Sequence, residues 1–211
     1  MAALGLHPVI APLLTIHPLP VELPTDAAAI LITSSSAIPS LPGWACARPI
    51  FAVGDATAAG IRSAGFAHVH SANADAAALA ELVHRTLPST AGNLLLLTGR
   101  GYGLSLAAGL SQRGRHVIRC ETYEAKPVTT LPQAAHRALD GGDLCAALFF
   151  SAETARCLVR LVTDAGLRDA ARDTVACAIG RPAAVALEAL PWRQIRIAAR
   201  PNHDGMLTLL R

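Results

Sequence analysis

Four short stretches combine small hydroxyl residues and glycines in the way that backbone anion binding requires. They are "ITSSSAI" with Ser34 and Ser35, "VGDATAAG" with Gly54 and Thr57, "LTGRGYG" with Gly99, and "FFSAETA" with Ser151. Each follows a short apolar run and precedes a stretch of helical periodicity. At such a turn the first helical N–H groups lack intrahelical partners, and the helix dipole adds positive potential. Glycine admits a ligand to the backbone and a hydroxyl adds a donor, so a carboxylate or phosphate is the natural guest. The plainer role of each hydroxyl is to cap its own helix. Four such turns at strand ends, where open α/β sheets place ligands, favour anion binding over capping alone for the set. A fainter copy of the second, "IGRPAAVAL", carries Gly180 and Arg181.

Two larger side chains join these turns. Arg100 follows Gly99, where a guanidinium can clamp a carboxylate with two hydrogen bonds or lie solvated on the surface. Tyr123 sits in "RCETYEAKP", a polar stretch with little apolar company. A tyrosine there has less reason to be core packing, and its hydroxyl can donate a proton. Other chemistries find no support. The five cysteines are widely spaced and read as reduced small hydrophobes, and the eight histidines form no ligand pair with clustered carboxylates. No G-x-S-x-G elbow occurs, and "GRGYG" lacks the third glycine of a dinucleotide fingerprint. The sequence therefore predicts neither a metal nor a cofactor.

The elements that must position these residues follow from hydropathy. Runs at Ile30 to Thr33, Ile50 to Val53, Leu94 to Thr98, Val117 to Tyr123, Ala146 to Ser151, Val175 to Ile179 and Ile195 to Ala199, most of them nearly all apolar, read as strands covered on both faces. Stretches with apolar residues three and four apart, such as "DAAALAELVHRTL" and "AETARCLVRLVTDAG", read as helices between them. The alternation predicts an α/β fold of two similar lobes with mostly parallel sheets flanked by helices. Residues 20–117 form the first lobe, and residues 128–211 together with residues 1–10 form the second. Residues 11–19 and 118–127, extended and proline-bounded, form a two-stranded connector. Hydrophobic residues are 52% of the 211, charged residues 16% and the net charge is +3, so the chain can bury a core and carries no basic run for nucleic acid. No apolar run approaches the roughly 18–20 residues that span a bilayer, and the first residues lack the charged start of a secretory signal. A cytoplasmic monomer is the expectation.

Taken in order, "LITSSSAI", "FAVGDATAAGIRSAGF", "LLLLTGRGYGLSLAAGLSQRGRHVIRCETYEAKP", "ALFFSAETA", "CAIGRPAAVALEAL" and "IRIAARPNHDGMLTLL" resemble the uroporphyrinogen-III synthase family. The resemblance runs from residue 12 to the end and rests on the order and spacing of the motifs. It implies two α/β lobes with the active site in the cleft between them. It also implies that hydroxymethylbilane, a linear tetrapyrrole with eight carboxylates, is closed to uroporphyrinogen III with inversion of ring D, without metal or cofactor. In the family chemistry the hydroxyl leaves to give an azafulvene, ring D is attacked at its substituted carbon, and the resulting spiro intermediate fragments and recloses. Tyr123 matches the family tyrosine that assists departure of the hydroxyl, while Ser34, Thr57 and Ser151 match positions lining the cleft.

This chain departs from the family pattern in three places. Ser36 stands where an asparagine is usual. Ala183 stands where the second G-x-x-T-A motif has its threonine, so that one carboxylate contact is missing or remade by Arg181. "MAALGLHP" resembles the interior of the family's first helix, which implies a second-lobe sheet lacking its first strand and a gene start upstream. Two other classes fit parts of the sequence. A non-catalytic two-lobed module for a tetrapyrrole or other polycarboxylate needs the same turns without the chemistry. A two-lobed sugar or amino-acid binding protein predicts stacking aromatics and an export signal, whereas aromatics are 4% of the chain.

Overall fold

The computed structural model describes residues 5–211. The chain divides into two units, one of residues Ile16–Ala125 and one of residues Met1–Thr15 with Lys126–Arg211. Each is an α/β unit, as the alternation of the sequence predicts.

The Ile16–Ala125 unit is built on β2 (Ala29–Ile32), β3 (Ile50–Ala52), β4 (Val69–Ser71), β5 (Leu94–Gly99) and β6 (Val117–Pro127), with β1 (Leu14–Pro18) at the edge. The strand order is β1-β6-β5-β2-β3-β4. From β6 to β4 all neighbours are parallel. The central strands β2 and β5 are buried at every position, because helices cover both faces. Each such Leu or Ile side chain contributes about 1.5–3 kcal/mol by leaving water. On one face, α1 (Asp55–Ser63) and a 3₁₀ segment (Ser35–Ser40) bring Ile61, Ala58 and Ala37 against Ile30, Ile32, Leu95 and Leu97. On the other, α2 (Ala76–Thr86) and α3 (Leu104–Gln112) bring Leu79, Val83, Leu106 and Leu110 against Leu31, Phe51, Leu94 and Leu96.

The chain runs β2 to β3 to β4 toward one edge, then returns to the other side of β2 for β5 and β6. The strand order thus reverses between β2 and β5, and crevices beyond the C-terminal ends of strands at such a reversal are where open α/β sheets hold ligands. Strands β1 and β6 carry the chain across the division between the units. They run antiparallel, since Leu19 N–H donates to Thr122 O and Val128 N–H donates to Leu13 O.

The other unit has a three-stranded parallel sheet in the order β7 (Ala146–Phe149), β8 (Val175–Ala178), β9 (Gln194–Ile197). Its α4 (Gln133–Asp140), α5 (Ala152–Asp164) and α6 (Arg181–Leu187) enclose an apolar cluster with Phe149, Ala176 and Ala178. Met206 of α7 (His203–Thr208) covers the opposite side of β8. Of "MAALGLHP", residues 1–4 lie outside the described residues, and residues 6–13 form neither helix nor strand, in keeping with the helix-breaking Pro8 and Pro12. These residues help to line a groove of about 520 Å³ along β7, with Phe149, Phe150, Leu158 and Trp192. Among the described residues, no helix is long and apolar enough to cross a membrane.

Candidate active site

In the Ile16–Ala125 unit the parallel register brings the residues singled out by sequence to one edge of the sheet. Strands β6, β5, β2 and β3 are consecutive neighbours; Gly99, Ser34 with Ser35, and Gly54 with Thr57 lie at or just beyond the C-terminal ends of β5, β2 and β3, and Tyr123, within the longer β6, lies opposite Gly99. In the other unit, Ser151 and Gly180 follow the adjacent parallel strands β7 and β8 and so share an edge in the same way.

The turns differ in how much donor capacity they leave free. Ser34 is extended and caps the 3₁₀ segment, its Oγ accepting from Ser36 N–H at 3.3 Å, while Ser35 is exposed. Ser151 caps α5 more fully. Its Oγ accepts from Thr154 N–H at 3.1 Å, and Thr154 Oγ1 donates back to Ser151 O at 2.9 Å. These two hydroxyls hold their own helices, the plainer of the two roles open to them.

Gly54 leaves the start of α1 without a side-chain cap, and the helix begins at Asp55. The glycine is extended, a conformation any residue adopts, and a Cβ there would meet nothing within 4 Å. What its hydrogen atom provides is open access to the helix N-terminus. Thr57 is half-buried in the first turn, with no hydrogen bond from its hydroxyl among the described residues. At α6, Gly180 is likewise extended and uncapped, Arg181 is exposed, and Pro182 removes one N–H from the first turn. Ala183 is 1% exposed and packs into the core of its unit, so the position that lost a hydroxyl is filled by apolar contact.

The turn "LTGRGYG" is already occupied by the protein's own carboxylate. Gly101 N–H donates to Glu121 Oε1 at 2.9 Å, and Arg119 Nη1 donates to the same oxygen at 2.9 Å and to Tyr102 O at 3.0 Å. The Gly101 N–H and then Arg119 hold the Glu121 carboxyl below its ordinary value. That contribution to stability is complete above the ordinary carboxylate range and is lost as pH falls through the lowered value. Arg100 is half-exposed, and its guanidinium pairs with Glu124 at 3.1 Å and approaches Glu121 at 3.9 Å. The carboxylate expected to meet Arg100 is therefore supplied by β6. The sequence does not show that Glu121 and Glu124 serve this turn, because Gly101 meets Glu121 and Arg100 meets Glu124 only when β6 pairs with β5.

Tyr123 is only 7% exposed and belongs to the apolar cluster with Ile32, Ala37, Leu97 and Cys120, against the expectation that a tyrosine in this polar stretch has little reason to be packed. Ile118 and Cys120 already point to that face, and the next residue in the alternation would be Thr122. Instead the pairing with β5 slips, Thr98 opposing Glu121 and Gly99 opposing Tyr123. Arg100 N–H then donates to Tyr123 O at 2.8 Å. The thiols of Cys120 and Cys177 are pushed up by burial, which makes them poor nucleophiles.

The sequence pattern of uroporphyrinogen-III synthase HemD matches residues 1–208. The chain belongs to the uroporphyrinogen-III synthase family. These are cofactor-independent cyclising lyases of porphyrin and haem biosynthesis, and the family acts on the polyanion hydroxymethylbilane. The fold agrees. The uroporphyrinogen-III synthetase of Helicobacter pylori is 20% identical with a TM-score of 0.65, over 94% of this chain and 89% of that one. A mutant uroporphyrinogen III synthase of Thermus thermophilus is 21% identical with a TM-score of 0.50, over 99% of this chain and 90% of that one. No curated protein matches the chain with significance.

Proposed function

We propose that this chain closes hydroxymethylbilane to uroporphyrinogen III with Tyr123 as the side chain that assists departure of the substrate hydroxyl. The observation that carries this reading is the register of β6 on β5, which puts Tyr123 beside Gly99 at the C-terminal end of the sheet. It stands there in a row with the open N-terminus of α1 and the hydroxyl of Thr57. Proton donation from the phenol lets the hydroxyl leave as water, and neutral N–H groups hold carboxylates without a strong base. The catalytic effect is then mainly positioning, which can lower a barrier by about 7–11 kcal/mol.

In this reading substrate carboxylates are bound by the Gly54–Thr57 turn, by Ser34 and Ser35, and by the Gly180–Arg181 turn. Arg181 offers a charge where Ala183 offers no hydroxyl. Ser151 contributes by fixing the start of α5. At Arg100 a substrate carboxylate must compete with Glu124 for the guanidinium. All these residues lie on one chain, so the reading needs no second copy and takes the protein as a cytoplasmic monomer.

The test is to supply the purified protein with hydroxymethylbilane and separate the product isomers. The expected product is the type III isomer in excess. Formation of the type I isomer alone, at the spontaneous rate, would leave only binding.

A further inference from the structure

We infer that Gly99 and the irregularity at Thr122 form a seat that orients the ring of Tyr123, and that Gly99 is a positioning residue for it. This rests on the assignment of Tyr123 above. Side chains alternate between the faces of a strand, and a shift of one residue sends the rest of the strand to the opposite face. On β5, Leu95 and Leu97 face the cluster below α1, so Gly99 continues that series, while Leu94 and Leu96 face α2 and α3. On β6, Ile118 and Cys120 face the same cluster as Leu95 and Leu97. Regular alternation would give the next place to Thr122 and turn Tyr123 away.

The extra residue in the β6 pairing changes this. Thr98 opposes Glu121, Gly99 opposes Tyr123, and Thr122 is left without an opposite residue. Bulges of this kind occur next to active sites, where they re-aim a side chain. Its cost is visible: Thr122 is fully buried, and its Oγ1 has no hydrogen-bond partner among the described residues. Clasps on either side of the slip fix it, with Glu121 held by Gly101 N–H and Arg119, and Tyr123 O held by Arg100 N–H.

The ring so aimed fits only over a residue without a side chain. A Cβ at Gly99 would lie 2.8 Å from Tyr123 Cε2, 2.8 Å from Cζ and 3.1 Å from Oη. All three atoms are at the reactive end of the side chain. A methyl group at position 99 must therefore push the phenol away from its place while leaving the backbone pairing intact. The close approach of Gly99 serves the ring of Tyr123 rather than a ligand.

Two measurements test this. In the NMR spectrum of the wild-type protein, the Gly99 Hα protons should show cross-relaxation with the Tyr123 ring and an upfield ring-current shift that disappears in Tyr123→Leu; absence of both overturns the seat. In steady-state kinetics with hydroxymethylbilane, Gly99→Ala should lower kcat at least tenfold with KM within threefold. In a Tyr123→Phe background the same substitution should change kcat less than threefold, because the group it displaces has already lost its hydroxyl. A slow Tyr123→Phe beside a Gly99→Ala of wild-type kcat, or independent losses that multiply, overturns the positioning role. A Gly99→Ala protein that fails to fold contradicts a displacement confined to the ring. If Tyr123→Phe keeps full kcat while the NMR contacts are present, the assignment of Tyr123 has failed and the seat stands as packing alone.

Discussion

The turn after β3 and the turn after β8 start alike, with an apolar strand, an extended glycine and an uncapped helix, and then diverge within the first helical turn. In the first, Asp55 is exposed at the start of α1 and Thr57 offers a half-buried hydroxyl. In the second, Arg181 is exposed, Pro182 has no N–H to give, and Ala183 is sealed into the core. One turn thus offers an anion the helix dipole and a hydroxyl donor, although Asp55 competes for the same potential. The other has exchanged a hydroxyl and an N–H for a cationic side chain. The exchange matters for strength, because a hydrogen bond to a charged group contributes about 1.5–3 kcal/mol and an exposed ion pair about 0.2–1 kcal/mol. The candidate chemical group, Tyr123, lies in the unit that kept the hydroxyl.

The sharpest way to break this comparison is to restore the missing hydroxyl. Ala183→Thr should not rebuild the first turn's chemistry but overpack the core among α5, α6 and β8, costing about 1–3 kcal/mol of stability. Chemical denaturation reads this as a lowered midpoint, and an unchanged midpoint with tighter substrate binding would show that the position is open to ligand. Next in size, Thr57→Ala should weaken substrate binding by about 1–2 kcal/mol, a rise in KM of roughly fivefold to thirtyfold with little change in kcat. A KM equal to wild type would leave the Thr57 hydroxyl no part in binding and remove the difference between the two turns. Arg181→Ala should raise KM by no more than about fivefold, the scale of a screened surface charge. That effect should fade as salt is raised, because the Debye length falls to about 3 Å at 1 M. Salt-independent loss would mean that Arg181 is held closely against its guest.

Much of this was legible in the sequence because it is local. Runs such as Leu94 to Thr98 are apolar throughout, so their burial on both faces follows from composition, and the helices between them follow from spacing. Gly54, Thr57 and Gly180 were recognisable because strand, glycine and helix are contiguous. What could not be read depends on pairing. Arg100 is a free guanidinium in sequence and a partnered one in the fold, because Glu124 reaches it only through the β5–β6 register. Tyr123 stands in a polar segment, yet it is packed because the slip at Thr122 turns it to the apolar face. The out-of-phase order of Ile118, Cys120 and Tyr123 was present in the sequence as a signal, but only a partner strand gives it meaning.

The central claim is that the unit carrying Thr57 also carries the chemistry, through the hydroxyl of Tyr123. The most direct test is the kcat for uroporphyrinogen III formation by Tyr123→Phe, measured beside its thermal midpoint. The expected result is a fall of at least tenfold, about 1.4 kcal/mol in the barrier, with the midpoint close to that of the wild type. A Tyr123→Phe enzyme of undiminished kcat would contradict it.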